Sequence, residues 1–199
     1  MSKPKFRFSR KLLAIPYGLF LIVFVIVPLL LIVYFSFTDS DNNFTFNNVI
    51  DFFSDSTNIN TVLVSVLIGV GTTVICLLIG YPIAYFIANK ENKMSFTLVL
   101  LFVMPMWINF VLRTAATRDL LSWIGISGGE SPYLTTMIGM VYNYLPFVIL
   151  PLYTTMIKMD RSLIEASYDL GANKVQTFFK TVLPMTMPGI ISAVSMVFM

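Results

Sequence analysis

Five long runs without a single Asp, Glu, Lys or Arg decide what this chain can fold into. They are Leu12–Phe37, Thr61–Ala88, Met94–Leu112, Tyr133–Ile157 and Val182–Met199, with 26, 28, 19, 25 and 18 residues. A helix crossing the roughly 30 Å hydrocarbon core needs about 20 apolar residues. Each run meets or nears that length, and none shows the stripe of a soluble amphipathic helix. The expected fold is therefore an all-α polytopic membrane protein, with four complete spans and a fifth cut short where the chain stops. Composition agrees: only 12% of the residues are charged, about half the share of a soluble domain.

Lys3, Lys5, Arg7, Arg10 and Lys11 precede the first run. That run is longer than a secretory signal core and no small-x-small site follows it, so it reads as a retained anchor. Counting spans puts the N-terminus, the turn with Lys90 and Lys93, and the loop with Lys158, Arg161, Lys174 and Lys180 on one face. Those segments hold all the basic residues except Arg113 and Arg118 out of 13, while Asp39, Asp41, Asp51 and Asp55 lie in the first opposite loop. The positive-inside bias predicts a cytoplasmic N-terminus in a cell membrane. The net charge of +3 then reflects orientation and contact with lipid, not nucleic-acid binding.

The runs lack what most membrane chemistries need. Charged groups at membrane depth mark proton carriers, pumps and many channels, and no Asp, Glu, Lys or Arg lies in the five runs. With no histidine, no carboxylate within the runs and one cysteine, there is no base in the spans to activate a nucleophile, no His/Cys metal-ligand set and no catalytic residue to name. No G-x-x-x-x-G-K-[ST] loop occurs, so the chain carries no P-loop for ATP.

Prolines 28, 82, 105, 146, 151, 184 and 188 fall in the runs; they read as packed kinks or as hinges along a pathway. Ser65, Gly69 and Thr73, then Gly80, Ala84 and Ala88, recur every four residues and suit close helix packing. Polar and aromatic residues gather at Trp107, Asn109 and Arg113, and again at Tyr142, Asn143 and Tyr144. Two readings stand: interfacial anchors and interhelical bonds, or a lining for substrate. Thr117–Ile126 reads as a short outer interfacial helix.

The loop 158–184 carries more information. Ser162 and Glu165 have the spacing of a capping box, which predicts a helix over Leu163–Leu170, ended by Gly171 as a left-handed cap. Asn173 and Gln176 repeat the capping pattern more weakly. Val175, Phe178, Phe179 and Val182 then form one apolar face of a second short helix, with Pro184 leading into the last run. Two short helices around a glycine turn suit docking into a groove on another protein, or a solvated connector.

Glu165-Ala166-Ser167, then Gly171, then Leu183-Pro184 resemble the EAA loop of permease subunits from ABC importers, with Ser167 where that pattern has alanine. Pro105 to Asn109 with Arg113, and Tyr144-Leu145-Pro146-Phe147 before Leu150-Pro151-Leu152-Tyr153, are most similar to the first permease of spermidine/putrescine importers. The resemblance implies a type I ABC importer transmembrane bundle. Residues 1–60 would form a basic segment, anchor and outer loop, and residues 61–199 the permease core.

It also implies partners: a cytoplasmic ABC ATPase dimer that holds Mg-ATP, a second permease and an extracytoplasmic substrate-binding protein. Ser162, Leu163, Glu165, Ala166, Asp169, Gly171, Ala172 and Pro184 would couple to the ATPase; Trp107, Asn109, Tyr142, Asn143 and Tyr144 are candidates for the substrate path. Family members usually continue through a further span, so the chain reads as truncated. A stand-alone carrier or channel, or a non-functional permease fragment, are the alternatives.

Overall fold

A computed structural model of the chain describes residues 10–39, 43–89 and 94–199. Lys3, Lys5, Arg7, Asp41, Lys90 and Lys93, all used above to orient the chain, lie outside the described residues. Apart from one isolated bridge between Thr38 and Phe44, every regular element among the described residues is helical. The chain divides into two compact units, Met1–Leu63 and Val64–Met199.

The first unit begins with α1 (Arg10–Leu21), a π-helical turn (Ile22–Ile26) and α2 (Val27–Ser36). Together Ala14–Ser36 is long and apolar enough to cross a membrane, and none of its most apolar stretch is buried within the structure. The π turn stands just before Pro28. Proline has no N–H for the carbonyl four residues back and its ring crowds that turn. Widening relieves both, and the Val27 N–H donates to the Ile22 carbonyl instead. Past α2, the Phe37, Phe44 and Phe46 rings stack and cross at 5.2 to 5.9 Å. The Asn48 amide donates to the Phe35 and Thr38 carbonyls. This knot precedes α3 (Asn47–Ser54) and the start of α4 (Ser56–Ile87), a helix that runs on into the second unit.

The second unit holds α5 (Ser95–Val103), α6 (Phe110–Trp123), α7 (Pro132–Met156), α8 (Ser162–Asp169), α9 (Lys174–Thr177) and α10 (Leu183–Phe198). Its core joins α4, α7 and α10 through Cys76, Ala84, Val148, Ile149, Leu152 and Ala193, all fully buried. The small residues of α4 have their use here: a Cβ on Gly80 would come within 2.8 Å of the Val148 side chain. One polar link crosses the same core, where the Tyr81 hydroxyl shares a hydrogen bond of 3.0 Å with Thr186.

Two expectations need correction. The run Met94–Leu112 is not one straight span. Helix α5 passes into a 3-10 turn (Met104–Trp107), the backbone extends at Ile108, and α6 starts afresh at an angle of 98°. Pro105 tightens the turn, and Asn109 then caps α6 by accepting from the Val111 N–H at 2.9 Å. An asparagine with free access to an N-cap position competes well against continuing the helix. The interfacial helix read at Thr117–Ile126 is the second half of this longer α6.

The last run also differs. Its helix begins not at Val182 but at Lys174, and Lys174–Phe198 is one continuous span-length rod of 25 residues. A π turn (Phe178–Val182) sits within it just ahead of Pro184, repeating the arrangement at Pro28. The wider turn rotates the register, so the foreseen apolar face splits: Val182 is buried and Phe178 half-buried, but Val175 and Phe179 are exposed.

Candidate functional site: the glycine elbow and the pocket between α6 and α7

Helix α8 begins one residue earlier than its sequence pattern predicts. Arg161 is already helical in backbone and Ser162 lies inside the first turn, so its hydroxyl caps nothing. The Asp160 carboxylate takes the Ser162 N–H instead, at 3.0 Å. The capping box read at Ser162 and Glu165 is therefore absent, while the weaker pattern is complete: the Asn173 side chain accepts from Gln176 N–H, and the Gln176 side chain accepts from Asn173 N–H. Side-chain chemistry alone does not distinguish a cap from a first-turn residue; the entry angle of the chain does.

Between the caps stands Gly171, with φ at +82°. Its N–H donates to the Tyr168 carbonyl and that of Ala172 to the Ser167 carbonyl, at 2.9 and 3.1 Å. These two bonds are the Schellman closure, which glycine alone enters without strain. Ser167 also shares a hydrogen bond of 3.0 Å with the buried hydroxyl of Thr177, so the serine standing in an alanine position ties the two sides of the elbow. Leu163, Glu165, Ala166, Asp169 and Pro184 are exposed and Ala172 is half-buried. The elbow presents Leu163, Tyr168, Leu170, Val175 and Phe179 to its surroundings.

Two contacts connect the elbow to the bundle. The Arg161 guanidinium donates to the Asn89 side-chain oxygen at 2.7 Å, across a cleft of about 350 Å³ that Tyr85, Met159, Ile164 and Glu165 help to line. On the other side the Phe178 ring meets the Tyr81 ring edge-on at 5.7 Å. Because Tyr81 also bonds Thr186, one side chain of α4 meets both the π turn at Phe178 and α10.

The second place is a pocket of about 400 Å³ between α6 and α7. Asn143 is 97% buried there and donates to the Thr114 hydroxyl at 3.2 Å, while its Oδ1 takes no partner. Tyr144 lines the pocket beside it. The other candidates stand apart: Trp107 is 84% exposed, Asn109 serves as a helix cap, and neither lines the pocket. Tyr142 lies under Arg113, whose guanidinium is 5.9 Å from the ring centroid.

Arg113 is a residue whose place the sequence left open. It stands just beyond an apolar run, where arginine ordinarily reaches for the interface, yet it is 93% buried and donates to the Pro105 carbonyl at 2.9 Å across the bend. The pocket threonines were passed over too. Thr135, Gly139 and Asn143, and Thr136, Met140 and Tyr144, each line the pocket at four-residue spacing on α7, a periodicity legible in the sequence.

No family model matches the chain. Its curated relatives are informative. The spermidine/putrescine transport system permease protein PotB of Escherichia coli is 34% identical over 192 residues, which covers 86% of this chain and 70% of that protein. The protein of the same name from Haemophilus influenzae is 38% identical, over 86% of this chain and 67% of its own. The chain belongs to the PotB permease family. A homologue from Mycoplasma genitalium, at 29% identity over 64% of this chain, extends the likeness to a more distant relative. As a PotB-family permease the chain is a multi-pass membrane transport subunit, and the apolar helices of both units fit that assignment. The segment that resembles an EAA loop lies within the elbow around Gly171.

Proposed function

We propose that the chain is one of two permease subunits of an ATP-driven polyamine importer. The observation that carries this reading is the 34 to 38% identity, across 86% of the chain, to permeases named for spermidine and putrescine. The subunit pairs with a second permease, receives substrate from an extracytoplasmic binding protein, and docks on a cytoplasmic ATPase dimer that holds Mg-ATP. Its N-terminus is cytoplasmic, in line with the basic residues of the connecting segments.

Helix α8 is the coupling helix in this reading. Its exposed apolar residues, flanked by the exposed carboxylates Glu165 and Asp169, have the mixed character of a docking surface. Ser162, Leu163 and Ala166 lie on the same short helix, Gly171 and Ala172 close it, and Pro184 marks where the following rod enters the bundle. A rigid, capped helix transmits force better than an open loop, which is the physical case for this role. The substrate path runs beside α7, where Tyr142, Asn143 and Tyr144 bring aromatic and polar groups into an otherwise apolar wall.

The experiment is co-purification of the tagged chain with the products of neighbouring genes, followed by uptake of labelled spermidine. Recovery of an ATPase and a second permease, with ATP-dependent accumulation, is the expected result. Isolation of the chain alone, with ATP-independent flux, would favour the stand-alone carrier.

A further inference from the structure

We propose that the pocket between α6 and α7 is an ammonium-binding subsite built from neutral oxygen acceptors, with Asn143 and the threonines of both helices as its specificity-determining groups. Its ligand class rests on the polyamine reading above.

The argument begins with where the hydroxyl protons go. Thr117 donates to the Arg113 carbonyl at 2.8 Å, Thr135 to that of Ser131 at 3.0 Å, and Thr136 to that of Pro132 at 2.8 Å. A threonine has one proton and two lone pairs. With each proton committed to the carbonyl four residues back, these oxygens have only lone pairs left to offer a ligand. Asn143 adds an independent observation: one of its two amide N–H groups is spent on Thr114, and its Oδ1 is buried without a donor. A buried acceptor is ordinarily satisfied, and no donor among the described residues reaches this one.

Acceptors suit a ligand that brings donors only. A protonated primary amine does so, and the aromatic rings of Phe110 and Tyr144 among the lining residues add an attraction for cations. Among the described residues no carboxylate lines the pocket. For a transport pathway that is an advantage, because a site that must release its ligand works best with weak, multiple contacts. Among the described residues the lining has one cation, Arg118, whose side chain is 72% exposed and paired with Asp119 at 3.4 Å, so its charge is turned to solvent and offset.

The test uses the complete importer, with the partner permease, ATPase and binding protein, and labelled spermidine. Asn143→Leu keeps volume and removes the acceptor; the pair Thr135→Val and Thr136→Val does the same for two hydroxyls. Each should lower the initial uptake rate about ten-fold in complexes that co-purify normally, whereas Thr135→Ser with Thr136→Ser, which retain the oxygens, should stay within about two-fold. If Asn143→Leu does not assemble, the threonine pair carries the test.

Wild-type rates in the valine pair, or equal loss in the serine and valine pairs, overturn the subsite and leave the polyamine reading intact. Failure of the assembled wild-type importer to accumulate spermidine at all overturns both.

Discussion

A Cβ placed on Gly189 would stand 2.7 Å from Oγ1 of Thr155, and 3.1 Å from the Pro151 carbonyl. Helices α7 and α10 touch there with no room for a methyl group. Gly189→Ala should therefore cost about 1–3 kcal/mol by overpacking, despite the better helix propensity of alanine. Gly18→Ala, at a position with nothing within 4 Å, should be neutral or slightly stabilising. Thermal unfolding of the two variants in the same detergent would show the contrast; equal melting temperatures would contradict the close approach.

Gly171 has open space around it, so substitution there acts through the backbone. A residue with a Cβ pays about 1–2 kcal/mol in the left-handed region, and asparagine pays least. Gly171→Asp should abolish ATP-coupled uptake while the subunit still co-purifies with its partners, and Gly171→Asn should retain part of the activity. Normal uptake by the aspartate variant would remove the coupling role from the elbow.

Ser167→Ala restores the residue usual for the EAA pattern but strands the Thr177 hydroxyl, which is 1% exposed. An orphaned buried hydroxyl costs about 1–3 kcal/mol, whereas replacing both partners is nearly neutral. The single variant should thus melt lower than wild type, and the double variant with Thr177→Val should recover most of the loss. A double-mutant cycle with no coupling would count against the bond.

Arg113→Lys tests the brace across the bend. A lysine ammonium is more strongly hydrated and lacks the planar fork that reaches a carbonyl while lying over a ring. The expected loss is about 1–3 kcal/mol of stability, with greater mobility of a spin label at Trp107. An unchanged spectrum together with unchanged stability would mean that the bend holds without the brace.

The sequence exposed most of this architecture and hid particular joints. Apolar runs are reliable because hydrocarbon tolerates nothing else, and Tyr133–Ile157 matches α7 (Pro132–Met156) to within a residue at each end. Gly171 was legible for a similar reason, since few other residues can end a helix that way. The break at Asn109 was hidden because a hydropathy run does not record where a capping side chain wins over helix continuation. Within the site, Asn143 stood out as a lone polar residue. The threonines did not, because a hydroxyl bonded to its own helix passes unnoticed in an apolar segment. The burial of Arg113 was not legible because it depends on which way a bent helix turns.

The near right angle at Ile108 and Asn109 sets a length problem. From Ser95 to Trp107 there are 13 residues, which at roughly 1.5 Å each reach about 20 Å, a third less than the hydrocarbon core. A rod that enters at one face stops short of the other, and the first free N–H groups of α6 fall where lipid offers no acceptor. Irregular backbone at that depth is tolerated only against protein or beside water. The bend must therefore lie against protein such as a partner subunit, or a funnel of water must reach down to it; hydroxyl-radical footprinting of Trp107 and Met106 would register the funnel as oxidation deep within an otherwise protected segment.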